Sequence, residues 1–164
     1  MKQRLFSTQN DLAESVRRKS IDLLNQHLAD ALDLRLQAKQ AHWNVKGPNF
    51  IALHGLFDEA DEEIGDFVDE IAERAVQLGG IALGTARVVA KQSRLAEYPL
   101  EIVNGREHVQ ALALSLATFG KSVRAAIDTA TEFNDADTAD LFTQVSRAID
   151  KLLWKVEAHA QAAD

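Results

Sequence analysis

Residues 42–73 read HWNVKGPNFIALHGLFDEADEEIGDFVDEIAE, and the character of the whole fold follows from this stretch. Pro48 and Asn49 indicate the start of a helix, because proline suits a first helical turn. Nothing interrupts the helix until Gly79 and Gly80, which are typical of a helix end. Apolar residues at helical spacing predict one buried face, made of Phe57, Ala60, Ile64, Phe67, Val68, Ile71, Ala75 and Leu78.

Two polar pairs lie on the opposite side of this helix. His54 precedes Asp58 by four residues and Asp69 precedes Glu73 by four, so each pair occupies one face on successive turns. At about 1.5 Å of rise per residue, Asp58 and Asp69 are roughly 16 Å apart along the axis. Ligands of one ion lie about 2 Å from it. One copy of the helix therefore does not close one site.

The spacing of the two pairs is symmetric about a point between Glu63 and Ile64. A two-fold axis there, as in an isologous dimer, would bring the first pair of one chain to the second pair of another. Gly65 lies beside this point and would let two helix backbones approach closely. A solvated acidic face is the alternative that spacing alone leaves open. His42, just upstream across a short turn, favours a metal site.

Two longer segments resemble a known family. KQAHWNVKGPNFIALH at residues 39–54, with FD soon after, and DEIAERAVQLGG at residues 69–80, with ALGT following, resemble the signature of the Dps family of ferritin-like mini-ferritins. The similarity extends from about Leu23 to SRAIDKLLW at residues 146–154. It implies an all-α fold, a ferritin-like four-helix bundle with a short extra helix in the long crossover between the second and third bundle helices.

The resemblance also implies a function and a site. Dps proteins form shells of twelve subunits that oxidise ferrous iron, preferably with hydrogen peroxide, and store the ferric product. The family's ferroxidase site lies between two subunits. Its positions correspond here to His42, His54 and Asp58 from one subunit and to Asp69 and Glu73 from the two-fold partner. The pattern leaves open whether the site holds one or two irons.

Further roles are suggested for a few residues around this site. Trp43 is either packing or, as in the family, a sacrificial electron donor beside the iron. Asp137 and Asp140 are candidates for the acids that line an iron-admitting pore, and Asp135 is a weaker candidate. Negative charge at such a pore concentrates cations. Acids that would nucleate mineral inside the shell are Glu62, Glu63 and Asp66.

Two alternatives compete with the mini-ferritin interpretation. An ordinary ferritin or bacterioferritin builds its di-iron site within one bundle from Glu-x-x-His motifs. None of the five histidines here has a glutamate three residues earlier, so this alternative is weak. The other alternative is a DNA-compacting shell whose metal site is vestigial.

Composition bounds the remaining possibilities. The 164 residues, 46% hydrophobic, predict a bundle domain over residues 15–164 behind a flexible tail of residues 1–14. Cysteine is absent, and no signal peptide or membrane-length apolar run is present, so we expect a cytoplasmic protein, with nucleoid association left open. A net charge of −7 disfavours binding to phosphates, and we expect DNA binding to be weak or absent.

The other helices are predicted from the same signals. The first should run from Asp11 or Ser15 to about Val45, with leucines at helical spacing as far as Leu36. A short helix is expected at residues 85–92 and a third bundle helix at residues 106–131, with His108 on its surface. Asp137 is predicted to cap the last helix, which would place Asp140 at its third position.

Overall fold

The computed structural model describes residues 4–161, and within that range it contains five α-helices and no β-strand. The long helices end where the sequence signals indicate, within a few residues. The elements in chain order are α1 (Glu14–Asn44), α2 (Phe50–Gln77), α3 (Ala86–Gln92), α4 (Gly105–Glu132) and α5 (Ala136–Glu157). The predicted all-α bundle with a short helix in the crossover is confirmed.

The four long helices pack as two pairs. α1 lies against α2 and α4 lies against α5, while further contacts join α1 to α4 and α2 to α5. The long crossover of residues 78–104 returns the chain to the end of the bundle where α2 begins. A Cβ at Gly105, the first residue of α4, would lie 2.5 Å from Leu53 Cδ1 near the start of α2. α2 and α4 therefore run parallel, as the ferritin-like topology requires.

The core is built from the predicted apolar faces. On α2 the buried hydrophobic residues are Leu53, Leu56, Phe57, Ala60, Ile64, Phe67, Ile71 and Ala75, followed by Leu78 at the helix end, while Val68 is partly buried. Leu36 departs from the leucine series of α1, since it is 58% exposed. Each step of four residues turns about 400°, so the series drifts around the helix. Leu34, Ala38 and Ala41 take over the buried face.

The start of α5 corrects one capping prediction. Asp135, not Asp137, is the N-cap, and its carboxylate accepts a 3.1 Å hydrogen bond from the Thr138 amide. Arg74 on α2 donates from Nη2 to Asp135 Oδ1 at 2.8 Å. The buried ion pair with Arg74 favours Asp135 over Asp137 as the N-cap. Asp140 is consequently the fifth residue of the helix and not the third.

His108 was predicted to lie on the surface, and this is wrong. Its side chain is 1% exposed, because Tyr98 in the crossover covers the first turn of α4.

The crossover is held against α1 by hydrogen bonds. Arg94 binds Asp30 through Nε at 3.0 Å and Nη2 at 2.5 Å, and the amide of Leu83 donates to Asn25 Oδ1 at 2.8 Å.

The described part of the N-terminal segment contacts the far end of α2. The amide of Phe6 donates to the Gly79 carbonyl at 2.7 Å. Gly79 has a φ of +87°, and a Cβ there would lie 2.6 Å from the Phe6 carbonyl oxygen, so glycine is required on both counts. The division into a tail of residues 1–14 and a bundle stays a prediction. Over residues 4–161, no helix has the length and apolarity needed to cross a membrane.

Candidate metal centre

Two histidines brace the end of α1 against the start of α2. The short turn at residues 45–49 places His42 beside His54. His42 Nδ1 lies 2.8 Å from the His54 carbonyl oxygen, and His54 Nδ1 lies 2.8 Å from the His42 carbonyl oxygen. The two imidazole rings stack, with centroids 3.7 Å apart and planes at 22°. Each histidine thus holds the other by a side-chain to backbone hydrogen bond.

These reciprocal bonds fix the tautomer of both rings. A carbonyl oxygen only accepts, so Nδ1 must carry the proton and donate in each case. In the neutral ring, Nε2 then keeps its lone pair, which is the form in which histidine binds metals. The backbone of each histidine therefore leaves the Nε2 of the other as an acceptor in the neutral ring.

Asp58 lies one turn beyond His54 and is held by a cation. The Lys39 ammonium on α1 hydrogen-bonds to Asp58 Oδ1 and lies 3.7 Å from Asp61 Oδ2. His42 Nδ1 is 3.8 Å from Asp58 Oδ1. The hydrogen bond from Lys39, with added attraction from His42, holds the pKa of Asp58 below its ordinary value, and the same bond raises the pKa of Lys39. Asp58 is therefore ionised at neutral pH, with the Lys39 ammonium beside it.

The sequence interpretation did not assign Lys39 to the candidate metal centre. It precedes His42 by three residues, which places both side chains on one face of α1. This spacing was the one signal in the sequence that could have placed Lys39 near the candidate ligands. Its carboxylate partner lies on another helix, so the contact itself requires the tertiary structure.

The remaining two predicted ligands lie elsewhere on α2. The side chains of Asp69 and Glu73 are exposed and form no hydrogen bond or ion pair within residues 4–161. In that same range, no group of three or more His, Asp or Glu side chains is arranged to hold a metal ion. The structure brings His42, His54 and Asp58 together, and it leaves the two acids on the outer surface of the helix.

Arg35 occupies the space beside Gly65. Arg35 Nε donates to Asp61 Oδ1 at 2.8 Å, and a Cβ on Gly65 would lie 3.1 Å from Arg35 Cζ. The missing side chain of Gly65 thus accommodates a guanidinium of the same chain. This gives the mid-helix glycine a use that does not depend on a second copy of the chain.

The other candidates lie at the two ends of the bundle. Trp43 follows His42 and is 64% exposed. At the start of α5, Asp137 has an 83% exposed side chain, 3.7 Å from Arg74 Nη1, and Asp140 is exposed as well. Asp135 is buried as the helix cap and is paired with Arg74, so it is not available to line a pore.

Comparisons with known proteins agree with this architecture. A family model described as ferritin-like domain matches residues 21–164. A protein from Agrobacterium fabrum named DNA protection during starvation protein is 45% identical over 154 residues, covering 94% of this chain and 95% of the relative.

Solved structures give the same result. A Dps from Mycobacterium smegmatis superposes with a TM-score of 0.90 at 31% identity, over 95% of each chain. DpsA14 from Streptomyces coelicolor superposes with a TM-score of 0.93 at 29% identity, over 99% of this chain and 96% of that one.

Proposed function

The chain belongs to the ferritin-like family and, within it, to the Dps proteins, and from this premise we propose that it is a ferroxidase that oxidises ferrous iron with hydrogen peroxide. Family membership supports a general role in iron storage and in protection against oxidative damage. The substrate, the oxidant and the location of the site are the proposal. Iron enters here as the substrate.

The reciprocal histidine pair is the observation that carries the proposal. Both Nδ1 atoms are committed to backbone carbonyls, so His42 and His54 offer two preoriented Nε2 ligands, with ionised Asp58 beside them. Imidazole and carboxylate ligands suit iron, although zinc or manganese uses the same ligand types.

We assign the other half of the site to a second copy of the chain. Asp69 and Glu73 lie on the outer surface of α2 without partners in the described chain. A two-fold axis near Glu63 would bring them to His54 and Asp58 of the partner, and the axis would generate two equal sites. This dimer is the unit from which we propose a shell of twelve subunits in the cytoplasm.

The proposed reaction consumes two ferrous ions for each peroxide. Each ion gives one electron, two protons are taken up, and the products are two ferric ions and two molecules of water. Supplying both electrons together avoids the hydroxyl radical that a single ferrous ion forms with peroxide. The histidines and carboxylates hold the ions, and the ionised state of Asp58 offsets the positive charge that accumulates as iron is oxidised.

Iron movement before and after oxidation is assigned to acids outside the site. Asp137 and Asp140 are exposed at one end of the bundle, as pore-lining residues must be, and their charge would draw cations inward. Ferric product would nucleate on Glu62, Glu63 or Asp66. The net charge of −7 disfavours phosphate binding, so the proposed protection of DNA operates through removal of iron and peroxide.

The proposal is tested by mixing apo-protein with ferrous iron under anaerobic conditions and then adding peroxide. We expect ferric absorbance to appear with two irons oxidised per peroxide, and far faster than when air replaces peroxide. The measurement is a peroxide titration followed by stopped-flow absorbance. A rate equal to that of iron and peroxide without protein would refute the ferroxidase function, and an equal rate in air would refute the preference for peroxide.

Lys39 should compete with metal for Asp58. In Lys39→Met the carboxylate is released from the ammonium, and we expect divalent metal to bind a few-fold more tightly, as for a partly exposed ion pair. Competition titration with Co²⁺ measures the change. Lys155→Met is the matched control, since Lys155 pairs with Glu59, a carboxylate of α2 outside the site. Equal metal affinities in the two variants would show that Lys39 does not compete with metal for Asp58.

A further inference from the structure

A tyrosine and a histidine outside the metal centre form a buried pair. Tyr98 in the crossover is 8% exposed, and His108 on α4 is 1% exposed. The phenolic oxygen lies 2.7 Å from His108 Nδ1, and the two ring planes are inclined by 20°. Tyr98 is the single tyrosine of the chain. A buried tyrosine with a base at hydrogen-bond distance can lose an electron and a proton together.

The direction of this hydrogen bond follows from counting donors. Neither side chain has another hydrogen-bond partner among the described residues, and His108 Nε2 is buried without one. If Nδ1 donated, the tyrosine hydroxyl proton and the Nε2 lone pair would both be unpaired. If the hydroxyl donates to Nδ1, only the Nε2 proton lacks a partner. The second arrangement leaves fewer buried groups unsatisfied, so Tyr98 is the donor.

Burial keeps both groups uncharged at neutral pH. It raises the pKa of the Tyr98 hydroxyl well above its ordinary value and lowers the pKa of His108. Phenolate is therefore not available for oxidation, and the imidazole is a neutral base. Oxidation of Tyr98 must move its proton to Nδ1 in the same step, because a phenol that has lost an electron is a far stronger acid than an imidazolium.

We propose that Tyr98 and His108 form a redox pair that intercepts stray one-electron oxidants of the hydroxyl-radical class. The oxidant takes one electron from Tyr98 and becomes hydroxide, while the hydroxyl proton moves to His108 Nδ1. The products are a neutral tyrosyl radical and an imidazolium. A ferrous ion then returns one electron, becomes ferric, and the proton moves back to the phenolic oxygen.

The position of the pair fits this role, which rests on the proposed iron chemistry for its oxidant. Gly105, one turn before His108, packs against Leu53, the residue preceding His54. The amide of Lys46, one turn beyond His42, donates to the Val103 carbonyl at 3.1 Å. The redox pair therefore lies at the same end of the bundle as the histidines of the metal centre.

Burial of Nε2 makes the exchange reversible. The atom has no hydrogen-bond partner among the described residues and no exposure to solvent, so a proton received at Nδ1 has no onward route through the ring. It remains beside the phenolic oxygen until an electron returns. A tyrosine on the surface would instead release its proton to water and expose the radical to other molecules.

The test uses the full-length assembled protein and a photo-oxidised ruthenium polypyridyl complex as a one-electron oxidant that needs no iron. Freeze-quench electron paramagnetic resonance should show a neutral tyrosyl radical in the wild type and none in Tyr98→Phe. The yield should fall several-fold in His108→Leu, which keeps bulk but removes the proton acceptor. Trp154→Phe, which replaces an exposed tryptophan outside the candidate metal centre, controls for tryptophan radicals and should retain the tyrosyl signal.

A second measurement on the wild type covers the case in which His108→Leu does not fold. Electron–nuclear double resonance in H₂O and in D₂O should reveal one exchangeable proton that is hydrogen-bonded to the phenolic oxygen and coupled to the unpaired electron of the radical. No tyrosyl signal, no such proton, or an undiminished yield in folded His108→Leu would overturn the redox pair. Replacing the ruthenium complex by ferrous iron and peroxide should give the same radical. Its absence there alone would overturn iron chemistry as the source of the oxidant.

Discussion

Replacing His42 by alanine is expected to lower the rate of peroxide-dependent ferrous oxidation by about a hundredfold. Loss of even a hydrogen-bond partner of a metal ligand typically costs about 10- to 100-fold in affinity or activity. His42 is predicted to be a ligand, and its Nδ1 also binds the His54 carbonyl. One substitution thus removes one imidazole and frees the segment that carries the other. Initial rates of ferric absorbance measure the loss.

His159→Ala is the matched control for this prediction. Among the described residues, the His159 side chain bonds to the Lys155 carbonyl of its own helix end and to nothing else, and it is exposed, so its removal should leave the rate unchanged. Asp58→Asn separates ligand loss from damage to the helix ends, because it keeps the side-chain shape and removes the charge. A comparable loss is expected there with an unaltered melting curve. Wild-type rates in both His42→Ala and Asp58→Asn would contradict the assigned site.

The helices could be predicted because their signals are local. Proline and asparagine before α2, glycines after it, and apolar residues at helical spacing act within a few residues. The predicted core of α2 was confirmed in all but Val68, which is partly buried. Leu36 was misplaced because regular four-residue spacing does not match the helical repeat over several turns.

Two of the wrong predictions depend on residues distant in sequence. Both Asp135 and Asp137 suit an N-cap, and the choice is made by Arg74, which reaches across from α2. His108 looks like a surface residue until Tyr98 covers it. Gly65 likewise contacts Arg35, a residue of another helix, and its predicted place beside a two-fold axis stays a prediction. None of these contacts produces a periodic pattern in the sequence.

The candidate metal centre, like the fold, could be predicted only in part from the sequence. The types and spacing of His42, His54 and Asp58 identified them as candidates, and the structure brings them together. The reciprocal bonds to backbone carbonyls could not be predicted, because any residue supplies a carbonyl and only the helix register decides which one is reached. Lys39 was missed for a similar reason, since its partner lies on the neighbouring helix.

A complementation experiment should show whether the ligands come from two chains. His54→Ala/Asp58→Ala removes ligands from the first half of the site, and Asp69→Ala/Glu73→Ala removes the second half. Each variant alone should be inactive. The side chains of Asp69 and Glu73 are exposed and form no hydrogen bond or ion pair among residues 4–161, so the second variant should fold normally, which circular dichroism will check.

Co-expression of the two variants should restore about a quarter of the wild-type rate. Random pairing makes about half of the two-fold dimers mixed, and each mixed dimer has one site with every ligand intact and one site with none of the substituted ligands. Purification through two different tags, one on each variant, removes assemblies of a single kind. If all ligands came from one chain, no combination of the two variants would contain an intact site, and the mixed assemblies would be as inactive as either parent. Recovered activity therefore requires that each chain complete the site of its neighbour.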